Sequence, residues 1–150
     1  MIAVGDKAPE LDLPAAGGGR VSAHALAGRR YALYFYPKAD TSGCTVQAQG
    51  VQESLEALTR AGITIIGVSP DPVKKLEAFA KKFDLTFPLA SDAERALAGA
   101  YDTWVEKSLY GRKYMGMERS TFLVGADGTV RAIWRKVKPA EHAALLLAAA

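Results

Sequence analysis

The sequence predicts an α/β fold built on a mixed central sheet. Three observations carry that expectation. Two strongly apolar runs, Arg30-Tyr-Ala-Leu-Tyr-Phe-Tyr36 and Ile63-Thr-Ile-Ile-Gly-Val-Ser69, read as strands covered on both faces. Each is followed by helical spacing, and that alternation makes a parallel core. Two later strand-like runs, Ser120 to Val124 and Val130 to Arg135, flank Gly125-Ala-Asp-Gly128, a turn that joins antiparallel strands.

Taken in order, Leu11 and Leu13 alternate with Glu10 and Asp12, and Ala16-Gly17-Gly18-Gly19 turns the chain back toward Val21. An N-terminal β-hairpin is expected there. Pro37 ends the first central strand. From Gly43 to Arg60, Val51, Leu55 and Leu58 recur at spacings of four and three, predicting one helix that Gly62 closes. Asp71 as cap and Pro72 as first residue open a helix to about Phe83, with Leu76, Phe79 and Phe83 inward. A short strand at Phe87 to Leu89 and a small helix from Asp92 to Tyr101 follow. Trp104 to Gly116 reads as a polar, glycine-containing connection, and Pro139 starts a closing helix through Leu147. With no repeat or linker in view, residues 1–150 are expected to form a single domain. The element order is that of a thioredoxin-like three-layer sandwich.

Composition narrows the function classes. Nineteen basic against sixteen acidic residues gives +3, and the charges are scattered, which argues for solubility rather than nucleic-acid binding. One cysteine excludes an intrachain disulfide. With only His24 and His142 beside it, no metal site is expected. Gly17 to Gly19 precede a strand, so they lack the setting of a phosphate loop, and no cofactor is expected. The start, Met-Ile-Ala-Val-Gly-Asp, has no secretory pattern, and the longest apolar run, Ala143 to Ala150, is too short for a bilayer. The expected location is cytoplasmic, with no membrane partner. His24 and His142 receive no role, and Lys74, Lys75, Lys81 and Lys82 read as a solvated helix face.

A lone cysteine is more often a buried apolar residue than a nucleophile. Cys44 has a particular setting: it follows a central strand and falls in the first turn of a helix, at the carboxyl edge of the sheet, where ligands bind in open α/β proteins. Free amides there favour thiolate over thiol. That effect is about 0.3–1 kcal/mol, up to about 2 when partly buried, so a fast thiol enzyme also needs a guanidinium and donors aimed at the transition state.

The segment Pro37-Lys-Ala-Asp-Thr41-Ser-Gly-Cys44 resembles the peroxidatic signature of the peroxiredoxins. Gly5-Asp-Lys-Ala-Pro9, Tyr34-Phe-Tyr-Pro-Lys38, Gly43-Cys-Thr-Val-Gln-Ala48, Trp104-Val-Glu-Lys107, Tyr110-Gly-Arg-Lys-Tyr114 and Arg119-Ser-Thr-Phe-Leu123 are similar to the peroxiredoxin Q, or bacterioferritin comigratory protein, subfamily. The resemblance spans nearly the whole chain. It implies a peroxidatic Cys44, with Thr41 bonding sulfur and peroxide, Arg119 polarising the peroxide, and Pro37 shielding the pocket. The amides of Gly43 and Cys44 would receive the charge that develops as O–O breaks. Each residue also has a plainer reading: Thr41 or Ser42 as a helix cap, Arg119 as a strand-edge charge, Pro37 as a strand stop. Their grouping around the only cysteine favours the chemical one. Trp104, Tyr110 and Tyr114 read as a peroxide or partner surface, or equally as core and loop anchors.

The chain departs from the subfamily pattern where many members carry a second cysteine. Position 49 is glutamine, the neighbourhood of Phe79 and Ala80 has no cysteine, and Gln52 stands where an arginine usually ends the motif. The resemblance then implies a one-cysteine cycle, with the Cys44 sulfenic acid reduced by an external thiol: thioredoxin, glutaredoxin with glutathione, or another small thiol. A thiol peroxidase of hydrogen peroxide and organic hydroperoxides, acting as a monomer, is the leading reading. The rival is a peroxide sensor or relay that passes oxidation to a partner protein.

Overall fold

A computed structural model describes residues 1–150. The chain opens with a hairpin of β1 (Asp12–Pro14) and β2 (Arg20–Ser22). Strand β3 (Arg30–Phe35) leads into α1 (Ser42–Glu53) and α2 (Leu55–Arg60). Then come β4 (Ile63–Ser69), α3 (Val73–Lys82), β5 (Leu89–Ser91) and α4 (Ala96–Ala100). A second hairpin, β6 (Trp104–Leu109) and β7 (Arg112–Met117), precedes β8 (Ser120–Val124) and β9 (Val130–Trp134). A 3₁₀ turn at Pro139–Glu141 opens α5 (His142–Ala149).

The central sheet runs β5-β4-β3-β8-β9. Strands β3, β4 and β5 are parallel, and β8 is antiparallel to both β3 and β9. The sheet is therefore mixed, as the sequence predicts. Side chains of β3 alternate between two apolar layers. Ala32, Tyr34 and the following Tyr36 meet Cys44, Val51, Leu58, Leu76, Phe79 and Leu146 on one face. Tyr31, Leu33 and Phe35 meet Leu97, Tyr101 and Phe122 on the other. That double coverage is why β3 and β4 read as unbroken apolar runs. No helix is long and apolar enough to cross a membrane.

Several elements differ from expectation. The helix expected from Gly43 to Arg60 breaks at Ser54, whose amide is shared between the Gly50 and Val51 carbonyls. The short strand lies at Leu89–Ser91 rather than Phe87 to Leu89, and the small helix shrinks to Ala96–Ala100. The expected connection from Trp104 to Gly116 is instead a hairpin, registered from Trp104↔Met117 to Leu109↔Arg112. Its two turn residues, Tyr110 and Gly111, both have positive φ, as a tight hairpin turn requires.

Asp71 does not cap α3. Pro72 takes that position with an extended backbone and no side-chain bond. The Asp71 carboxylate is buried and accepts hydrogen bonds from the Ala39 amide (2.7 Å) and the Ser69 hydroxyl (3.0 Å). It thereby ties the loop after β3 to the end of β4, and that loop leads directly to Cys44.

Candidate active site

Strand pairing continues one residue past β3, where the Tyr36 amide donates to the Val68 carbonyl at 3.0 Å. Pro37, half-buried, has no N–H and ends the ladder. Asp40 takes a left-handed backbone (φ 60°), and Thr41 returns to an extended one at the head of α1. The Thr45 amide donates to the Thr41 carbonyl at 2.8 Å. The amides of Ser42, Gly43 and Cys44 thus precede the first intrahelical bond, and the first turn holds no acidic residue. Cys44 lies inside this positive helix end, 1% exposed and packed into the apolar layer.

Arg119 immediately precedes β8 and is half-buried. Its Nη2 donates to Cys44 Sγ at 3.4 Å, and its Nη1 donates to Gln47 Oε1 at 2.5 Å. Gln47 is buried one helical turn after Cys44, on the same face of α1. Its carbonyl oxygen therefore fixes the guanidinium beside the sulfur. Gly43 leaves the space the guanidinium uses: a β-carbon there would lie 3.2 Å from Arg119 Nη2 and 3.4 Å from Pro139 Cγ. From the other side, the Val137 amide donates to the Arg119 carbonyl at 2.8 Å.

Two aromatic groups back the site. Burial pushes the Tyr34 phenol well above its ordinary value; Tyr36 and Cys44 add to this and Arg119 opposes it. The Tyr34 ring packs against that of His142 with centres 5.0 Å apart and planes inclined at 56°, and His142 Nε2 shares a 2.8 Å hydrogen bond with Thr121 Oγ1. Burial, reinforced by the charge of Arg119, pushes the His142 imidazole down to about 4. It is neutral near pH 7, so it adds no positive charge beside Arg119 there.

The structure brings Cys44, Arg119 and Gly43 together. Thr41 is adjacent, but its hydroxyl donates to the Lys38 carbonyl at 2.8 Å and not to the sulfur; its oxygen stays available as an acceptor. It heads the helix without a side-chain cap bond, which sets aside the plainer reading of its role. Gln52 lies two turns from Cys44 and is bound to Thr86 at both ends of its amide, at 2.8 and 2.9 Å. Position 52 is accordingly not part of the thiol's surroundings. Of the aromatic candidates, Tyr110 is 97% exposed at the hairpin tip, and Trp104 is half-buried beneath the Arg95 guanidinium.

Sequence reasoning did not single out Gln47 or His142. Gln47 carried one usable signal, its position three residues after Cys44. Chemically, the arrangement presents a sulfur to an electrophilic oxygen, with a guanidinium and two free amides where negative charge would develop.

Comparison with known proteins gives a consistent picture. The AhpC/TSA family matches residues 4–133. Peroxiredoxin Bcp of Bacillus subtilis is 43% identical over 143 residues, covering 95% of this chain and 91% of the relative. Peroxiredoxin Bcp of Escherichia coli K12 is 39% identical over 141 residues, covering 94% and 90%. Among solved structures, the bacterioferritin comigratory protein of Xanthomonas campestris, studied for its alkyl peroxide reduction activity, superposes with a TM-score of 0.88 at 43% identity, over 93% of this chain and 88% of that one. A cysteine-to-serine mutant of Xylella fastidiosa PrxQ gives 0.94 at 32% identity, over 99% and 95%.

Proposed function

This chain belongs to the AhpC/TSA family and is a thiol-dependent peroxidase of the Bcp/peroxiredoxin Q kind, and on that premise we propose how its own residues divide the work. The carrying observation is the 3.4 Å approach of Arg119 to the Cys44 sulfur at the open end of α1. Cys44 is the nucleophile. Its thiolate attacks the nearer peroxide oxygen, the O–O bond breaks, and the electron pair leaves on the distal oxygen as hydroxide or alkoxide, which takes up a proton. Arg119 and the Gly43 and Cys44 amides stabilise that charge. Thr41 accepts a hydrogen bond from the peroxide, Pro37 limits water at the sulfur, and Gln47 orients Arg119.

The product is a sulfenic acid, and the single cysteine fits a one-cysteine cycle. An external thiol attacks the oxidised sulfur, water leaves, and a second thiol releases the mixed disulfide. Thioredoxin, or glutaredoxin with glutathione, fits as donor in the reducing cytoplasm, where a lone thiol is maintained. Residues 1–150 act as one domain, because both apolar layers share one sheet, and the active unit in this reading is a monomer. The relatives named above are peroxiredoxins, which favours turnover over a relay.

The test is peroxide consumption with dithiothreitol, the thioredoxin system, or glutathione with glutaredoxin, beside Cys44→Ser. Turnover lost in the variant supports this assignment, and the best donor identifies the partner. One equivalent consumed, without turnover under any donor, would return the relay reading.

A further inference from the structure

Lysines normally extend their ammonium into water and lay only the stem on the protein. Lys107 departs from this at its head, which turns in to the backbone. It sits on β6, where hairpin β6–β7 is mostly exposed, yet it is half-buried. Its stem crosses Gly116, where an added β-carbon would lie 3.1 Å from its Cδ and 3.4 Å from its Cε. Its Nζ ends on the Met117 carbonyl at 2.5 Å, two residues before Arg119. Glycine at 116 is thus what lets the stem fold down toward the base of the hairpin.

The base of the hairpin is an electrostatically costly place for an ammonium. Burial and the like charge of Arg119 push the Lys107 ammonium down, against the attraction of Glu118 and Cys44. Glu118 is only partly available as a counter-ion, since its carboxylate already holds Arg135 at 3.3 Å and Ser120 Oγ at 2.6 Å. Lys107 is thus held two residues before the arginine that binds the sulfur, and it is Cys44 and Glu118 that offset the cost of placing it there. The two cations are relaxed when the sulfur is negative, because each then gains an opposite charge.

We propose that Lys107 is a positioning residue of the thiol centre, a second cation that hairpin β6–β7 delivers through the gap at Gly116 to favour the Cys44 thiolate and brace the strand leading into Arg119. The inference rests on the peroxidase reading given above, and it adds a role for the hairpin in the reaction. Tyr34, Tyr36 and His142, the other titratable groups packed around the site, are neutral near pH 7 and do not compete for the charge.

The test is the pH profile of Cys44 alkylation by iodoacetamide in Lys107→Met, Lys107→Arg and Gly116→Ala, read beside thermal stability. This readout needs no peroxide or reductant, so it stands apart from the peroxidase reading. In Lys107→Met the midpoint is expected to rise by about one pH unit, with peroxide consumption near pH 7 falling about tenfold. Lys107→Arg should recover most of both. Gly116→Ala, which crowds the stem, should shift the midpoint in the same direction as Lys107→Met. A Lys107→Met profile superimposed on that of the unmodified protein overturns the proposal. So does a Lys107→Arg variant as impaired as Lys107→Met, because charge would then not be the property that matters.

Discussion

Arg119 reaches Cys44 through space that Gly43 leaves open: a β-carbon on Gly43 would stand 3.2 Å from the guanidinium Nη2. That separation is tighter than an ordinary contact. Gln47 holds the same guanidinium from the other side, so it has little freedom to retreat. Gly43→Ala should therefore divide stability from activity. The better helix propensity of alanine, about 1 kcal/mol at most, offsets part of that crowding, so the melting temperature should change little. Peroxide consumption should drop about tenfold, because small misplacements of a charge-stabilising group are costly. Thermal unfolding and stopped-flow peroxide kinetics on one preparation check both halves. A parallel loss of stability and rate would assign the glycine to packing instead.

Gln47 gives the second prediction. Hydrogen bonds to charged groups contribute about 1.5–3 kcal/mol, and this one also aims the guanidinium. Gln47→Leu keeps a similar volume but removes the acceptor. Stability should fall by about that amount, and the peroxide rate should fall ten- to a hundredfold. Gln47→Glu, which retains an acceptor oxygen, should keep the larger part of the rate. Equal losses in both variants would show that the oxygen is not what orients Arg119.

How much of this could be read from the chain depends on how far apart the deciding groups are. Strands β3 and β4 were legible because burial on both faces leaves only apolar residues along them. Hairpin β6–β7 was not, because it stands largely outside the two apolar layers and Glu106, Ser108, Arg112 and Lys113 face solvent. Nothing there imposes an apolar alternation. Asp71 looked like a cap by its local setting before Pro72. A donor thirty-two residues away, the Ala39 amide, claims its carboxylate instead. The site divides in the same way. Cys44, Thr41 and Gly43 lie in one short segment, whereas the pairing of Gln47 with Arg119 spans seventy-two positions and exists only once β8 lies beside β3.

The buried histidine sets a pH response. His142 has its imidazole held at about 4 against an ordinary 6.5, so the native state refuses a proton that the unfolded chain accepts. Near pH 7 neither form carries it and nothing is lost. As pH falls below 6.5 the unfolded state is increasingly favoured, and the loss levels off below about 4. The full effect is about 3 kcal/mol at most. Urea unfolding of the protein and of His142→Gln at about pH 7 and about pH 4 measures it: the drop between the two should be smaller in the variant. Equal drops would mean that His142 takes its proton as readily in the native state.

With no second thiol to trap it, the Cys44 sulfenic acid should meet a second peroxide whenever a reductant is absent. Excess peroxide should then produce a species about 32 Da heavier, the sulfinic acid, and added dithiothreitol should suppress it. Intact-mass spectrometry reads both arms. No such species at high peroxide would show that the buried sulfur is shielded after its first oxidation.

Restoring a second thiol at position 49 tests whether α1 can open. Gln49 stands five positions after Cys44, about 7.5 Å of helical rise, whereas a disulfide needs α-carbons within about 7 Å. The two side chains also face apart, since Cys44 is buried and Gln49 exposed. In Gln49→Cys a disulfide can therefore form only if the first turns of α1 come undone. Those turns lack a side-chain cap, which makes opening easier. Peroxide should convert this variant to a species about 2 Da lighter than the reduced form, at the expense of the sulfinic acid, with a loss of helical circular dichroism that dithiothreitol reverses. A disulfide formed without any loss of helix would contradict the geometry of α1 described above.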